Sequence, residues 1–284
     1  MSQDVIQRFL FKEHAIRGQY LHLDQAWLSM LNERHYPASL VRLLGELTAF
    51  SALLANGMKY EGRLTLQVQG NGPVNLLVVD IDHQLHLRGL AKTQAPLEGL
   101  DNANQLLGDG QILVTLENRQ TDHFYQSYVP RENDDLTVDL QGFLTQSEQL
   151  ESRLFIALND QAIGALYLQK MPETDGHDAD AWDRISHLAS TVKKDELLNL
   201  DIHSLLTRLF HEEQVELYPP RSLEYVCPRN REQIATMIKA LGEEQARQIL
   251  AEQGEIVVFN DMCNYHERFN QADLDDLFKA DLNA

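Results

Sequence analysis

A change of hydrophobic period between residues 55 and 63 constrains this chain more than any other feature. Leu40, Leu43, Leu44, Leu47, Phe50, Leu53 and Leu54 recur at helical spacing. They predict a helix that follows Pro37 and stops at Asn56-Gly57. Immediately afterwards Arg63-Leu64-Thr65-Leu66-Gln67-Val68-Gln69 alternates strictly, as a half-buried strand does. An apolar helix followed by alternating strands on hairpin-length connections predicts an α+β chain with antiparallel sheets.

The remaining segments extend that pattern. Residues 1–15 read as a strand or extended arm, and Asp24 caps a short helix over Ala26–Leu31. Strands are expected at Val74–Ile81, His83–Ala91, Ile112–Leu116, Phe124–Val129, Arg153–Leu158 and Ala162–Gln169, with a helix over 136–147. Met171 to Asp178 carries Pro, Gly and capping residues without an apolar period, and marks a boundary. Beyond it the chain reads as helical. Trp182, Ile185, Leu188 and Ala189 form one stripe, and Leu205, Leu206, Leu209 and Phe210 another. These helices also carry many charges, so their stripe must lie on something, most economically the N-terminal sheet. Such a layer detaches at modest free energy.

Composition excludes several classes of function. The net charge of −19 repels phosphate backbones and argues against nucleic acid. No run of 18 apolar residues is present, which argues against a membrane span. The N-terminus lacks a signal-peptide pattern. Two cysteines do not make a disulfide scaffold, so a reducing cytoplasm is the expected compartment.

Few residues suggest chemistry. Gly70-Asn71-Gly72-Pro73 lacks the Lys-Ser/Thr and the helix of a phosphate loop, and reads as a turn. No Gly-x-Ser-x-Gly elbow occurs. His83 and His86 sit in a strand-like run, as solvated histidines. Cys227 and Cys263 are more specific. His266 follows Cys263 by three residues, so three donors are available where a structural zinc site wants four. Spacing alone favours two thiols without metal. A Cys227–Cys263 disulfide is the other alternative, provided the two segments meet within roughly 7 Å.

An ordered set of segments resembles the redox-regulated heat-shock holdases, the 33 kDa chaperonins. The set is Phe9-Leu10-Phe11 with Ile16-Arg17-Gly18, Leu66 to Pro73, Thr145 to Gln149, Leu168 to Pro172, Leu209 to Glu213, Leu241 to Glu244, and Gly254-Glu255-Ile256. The resemblance implies three parts: an N-terminal α+β core over 1–173, a helical linker over 174–222 and a small zinc-knuckle-like tail over 223–284. It implies a non-enzymatic, ATP-independent holdase that binds unfolded or partly folded client proteins and protects them from aggregation under heat or oxidative stress, with homodimerisation as a family trait.

The resemblance also implies a switch. Four cysteines, as Cys-x-Cys and Cys-x-x-Cys, hold one zinc in the family, and oxidation expels it. Here Cys227 and Cys263 match the first and fourth, while Arg229 and Asn260 stand at the other two positions. The expectation is therefore weak or absent zinc binding, a redox role confined to Cys227 and Cys263, and activity that is governed by heat or constitutive rather than set by peroxide. The tail must then fold on Ile234, Met237, Ile238, Leu241, Ile249, Leu250, Ile256, Val258 and Phe269. A thiol-dependent oxidoreductase or metal-binding protein using Cys227, Cys263 and His266 is the alternative.

Overall fold

A computed structural model describes residues 4–172 and 180–279. Most of the boundary expected at Met171 to Asp178 lies outside those residues. Two compact units emerge, 1–226 and 227–284.

In the first unit β1 (Val5–Phe11) and β2 (Ile16–Leu23) form a hairpin, followed by α1 (Gln25–Leu31) and α2 (Ala38–Ala55). Asp24 caps α1 through the Gln25 N–H. Next come β3 (Gly62–Gln69), β4 (Val74–Asp82), β5 (His86–Thr93), α3 (Ala103–Leu107), β6 (Gln111–Asn118), β7 (His123–Val129) and α4 (Leu136–Glu148). A last hairpin joins β8 (Ser152–Leu158) to β9 (Ile163–Lys170). Helices α5 (Ala181–Ser190), α6 (Lys194–Asn199) and α7 (Ile202–Phe210) precede three short strands, β10 (Val215–Leu217), β11 (Arg221–Ser222) and β12 (Glu224–Tyr225).

Two sheets result. One has the order β10-β1-β2-β9-β8, with β11 also on β1; the other has the order β12-β5-β4-β3-β6-β7. Helix α2 fills the space between their inner faces, which explains why it is apolar nearly all round. It is long and apolar enough to cross a membrane, but 78% of that window is buried inside the unit. Alternation then determines what each strand of the first sheet faces. Ile6, Leu21, Leu23, Ile163 and Ala165 point to the core around α2. Phe9, Phe11, Ile16, Tyr20, Leu166 and Leu168 point the other way and meet α5, α6 and α7 in a second core.

The expected helical stretch beyond residue 178 needs correcting at its end, because Val215–Leu217 and Arg221–Ser222 are strands. Val215–Leu217 pairs antiparallel with Phe9–Phe11, and Ser222 with Val5. These segments are too short for a period to show. Glu224 and Tyr225 then pair with His86 and Leu87, so the first unit continues past 222 to Val226.

The second unit has α8 (Arg231–Leu241), α9 (Glu243–Gln253), the hairpin β13 (Ile256–Asn260) and β14 (Tyr265–Phe269), and α10 (Gln271–Lys279). Its core holds Ile234, Ile238, Ala246, Leu250, Ile256, Phe269, Leu274 and Phe278, with Ile249 and Val258 packed against it. Met237 and Leu241 are a correction. They are 61% and 50% exposed: Ile234 and Ile238 supply the buried pair of α8, Met237 lies to one side of them, and Leu241 is the last residue of the helix before Gly242.

Candidate functional site

Two features carry the candidate chemistry, and each lies within one unit. The first is the covered face of the β10-β1-β2-β9-β8 sheet. Ile185, Ala189, Leu205, Leu206, Leu209 and Phe210 of the linker helices are buried against it. The Phe210 ring meets Phe11 edge-on at 5.1 Å between centroids. Glycine makes the close approach possible at two points. A Cβ at Gly164 would fall 2.1 Å from the Leu197 carbonyl oxygen of α6, and one at Gly18 would overlap the Phe9 ring.

Polar groups fasten this cover at its rim. The Tyr20 hydroxyl donates to the Leu200 carbonyl at 2.8 Å, and His22 Nε2 meets the Leu198 carbonyl at 3.0 Å. Burial pushes the Tyr20 phenol well above its ordinary pKa, so the hydroxyl stays protonated and able to donate. Glu213 Oε2 lies 3.0 Å from His14 Nε2, and its Oε1 accepts from Arg184 Nε at 3.0 Å. The β1–β2 turn is thereby tied to α5. Trp182 Nε1 donates to Glu151 at 2.9 Å. Among the described residues these polar ties sit at the rim, and the α7–sheet contact itself is mainly apolar. Apolar contact resists water strongly but adapts readily to other apolar surface.

Sequence reasoning missed the rim partners Tyr20, His22 and Glu213 and the two glycines. Of these only Gly18 and Glu213 fell in segments already singled out, because neither rim bonds nor close approaches leave a periodic trace.

The second feature is the pair Cys227 and Cys263, which form a disulfide with a Cα–Cα distance of 5.5 Å. Cys263 lies in the β13–β14 turn, where Asn260 Oδ1 accepts its N–H at 3.1 Å and Asn264 takes a left-handed φ of 51°. The bond closes a separation of 36 residues. Loop-closure entropy then favours the folded unit by about 4 kcal/mol relative to an unlinked chain. A unit with so small a core needs such a staple.

The residues do not fit the zinc that the family resemblance implies. Cys227 and Cys263 are the two cysteines of the chain, and two thiolates fall short of the four donors of a structural zinc site. The Arg229 guanidinium lies over the Tyr265 ring at 5.1 Å, and the Asn260 side-chain oxygen is spent on the turn. His266, the third donor suggested by spacing, lies on β14 with its ring 4.7 Å from that of Phe259. Among the described residues no group of three His, Cys, Asp or Glu is placed to hold a metal.

Known proteins decide the relationship. A family profile described as Hsp33 protein matches residues 4–270. The chain belongs to the Hsp33 family. The 33 kDa chaperonin of Methylobacillus flagellatus is 38% identical over 98% of this chain and 96% of its own length. That of Chromobacterium violaceum is 37% identical over 99% and 96%. The crystal structure of the 33 kDa chaperonin of Thermotoga maritima matches the Hsp33 fold seen here with a TM-score of 0.80, at 20% identity, over 99% of this chain and all of that one. The α+β class and the family resemblance read from sequence are both borne out. Hsp33 is a chaperone family, and the oxidoreductase alternative is not favoured although the two sulfurs do meet.

Proposed function

We propose that this chain is an ATP-independent holdase of the cytoplasm that binds unfolded or partly folded clients under heat stress. The observation that carries the reading is the apolar sheet face under a thin, amphipathic helical cover. Release of α5, α6 and α7 opens Phe9, Phe11, Ile16, Leu166 and Leu168 to a client, together with the apolar stripe of the helices themselves. The net charge of −19 keeps the complex soluble. A core over 1–173, a cover over 174–222 and a tail that begins at Cys227, after the strand at Glu224–Tyr225 that stays with the core, are the functional parts we assign.

The redox part of the family mechanism takes a different sign here. Cys227 and Cys263 are the redox pair we assign, reduced in a resting cytoplasm. Two-electron oxidation by a peroxide, itself reduced to water, joins them, and joining them holds the tail folded instead of unfolding it. Zinc plays no part in this reading, since Arg229 and Asn260 supply no thiolate.

Light scattering of a heat-denatured client tests the reading, with the full chain added without ATP. Suppression of aggregation that rises with preheating, and needs no peroxide, is expected. No suppression at an equimolar ratio refutes the holdase. One equivalent of tightly bound zinc in the reduced protein refutes the assignment of the tail.

A further inference from the structure

The second sheet ends on an edge strand unlike the rest of the surface. Among the described residues β7 pairs with β6 alone, so along its outer edge alternate residues present backbone N–H and C=O groups to solvent. Its sequence, His123 to Val129, holds no Asp, Glu, Lys or Arg, in a chain that is 24% charged. Phe124, Tyr125 and Tyr128 are 66%, 62% and 62% exposed, the three most exposed large hydrophobic side chains of the first unit. Register against β6 sets Phe124 opposite Glu117 and Tyr128 opposite Leu113, which places both rings on the sheet face turned away from α2. Natural sheets usually protect an edge with lysine, proline or a bulge, and here Pro130 merely ends the strand.

We infer that β7 is a second, permanently open client site, which takes an extended, uncharged segment of an unfolded chain as a seventh antiparallel strand. The hydrogen-bonding edge specifies an extended backbone, and the two rings offer cross-strand contact to apolar side chains. Charge specifies the flanks of that segment. Arg119 and Asp122 lie in the turn before the strand, Arg119 Nε 3.9 Å from Glu117 Oε1, and Glu132, Asp134 and Asp135 follow the strand. The intervening Arg131 guanidinium is spent on the Gly108 and Gly110 carbonyls and on Asn104. The ends are therefore acidic and suit a segment bordered by lysine or arginine. The same charge, with −19 on each chain, opposes a second copy pairing through β7. The site deepens the holdase reading and rests on it: it captures a client before the helical cover opens.

The test uses the full chain and a fluorescein-labelled peptide of alternating valine and threonine with lysines at both ends, followed by anisotropy at a temperature where the cover is closed. Binding is expected. It should weaken by about tenfold in Phe124→Lys/Tyr128→Lys, both exposed positions, and be lost when alternate peptide nitrogens are methylated. No binding, or binding unaltered by the double substitution or by methylation, overturns the site. So does sedimentation of the chain as a dimer that Phe124→Lys/Tyr128→Lys dissociates. Aggregation assays on the same samples separate the two readings. Suppression without peptide binding leaves the holdase standing and removes the strand site; peptide binding without suppression removes the holdase and with it the strand's role as a client site.

Discussion

At the scale of single residues, Glu46 on α2 is a buried acid whose surroundings oppose its charge. It is 7% exposed, its Oε1 accepts from Arg42 Nη1 at 3.0 Å, and its Oε2 accepts no hydrogen bond. Burial raises its pKa from 4.5 to about 7, against the opposing pull of Arg42. The folded state of this acid keeps its proton to higher pH than the unfolded state. Stability is therefore lost as pH rises from about 4.5 to about 7, and the penalty is complete above that window. Chemical denaturation at pH 5 and pH 8 should show Glu46→Gln gaining on the parent by on the order of 2 kcal/mol at the higher pH. An unchanged difference between the two proteins contradicts this. The disulfide makes a second prediction at this scale. Reduction, or Cys227→Ser, should lower the unfolding free energy of the tail by about 4 kcal/mol, read as loss of amide dispersion in 227–279 on mild warming. Dispersion that survives reduction unchanged shows the staple to be idle.

At the scale of elements, the cover depends on close approach. Gly164→Ala drives a methyl group into the Leu197 carbonyl and should push α6 off β9 by on the order of 1–3 kcal/mol. The expected result is more bis-ANS binding and aggregation suppression at a lower temperature; a variant that only unfolds globally, with no gain in either, speaks against a separable cover. The long elements were legible because burial repeats within them. Leu40 to Leu54 marks α2, Arg63 to Gln69 marks β3, and the stripes of Ile185 and Leu209 mark the cover. Val215–Leu217, Arg221–Ser222 and Glu224–Tyr225 were not legible, since two or three residues cannot show a period and their pairing with β1 and β5 is long-range. Met237 and Leu241 misled for a related reason. Apolar character on an amphipathic helix does not say which residues of a wide stripe reach the core, and on α8 the buried pair is Ile234 and Ile238. The site was half legible. Two cysteines stood out at once, but only the fold brings their Cα atoms to 5.5 Å, and only the fold shows Arg229 resting on Tyr265.

At the scale of the whole molecule, the first unit keeps two apolar cores of different character. The one around α2 is enclosed by two sheets and held by long antiparallel ladders. The other lies between one sheet and three short helices fastened by a handful of bonds from Tyr20, His22, Glu213 and Glu151. Unequal local stability follows, and the weaker core is the one whose opening exposes a client surface. Hydrogen–deuterium exchange of the full chain, followed peptide by peptide as temperature rises, tests this most directly. Amides of Ala181–Phe210 should exchange well below the temperature at which β1, β2 and β9 do, and bis-ANS binding should rise in that same interval. Exchange of cover and sheet together, in one global transition, would contradict the account.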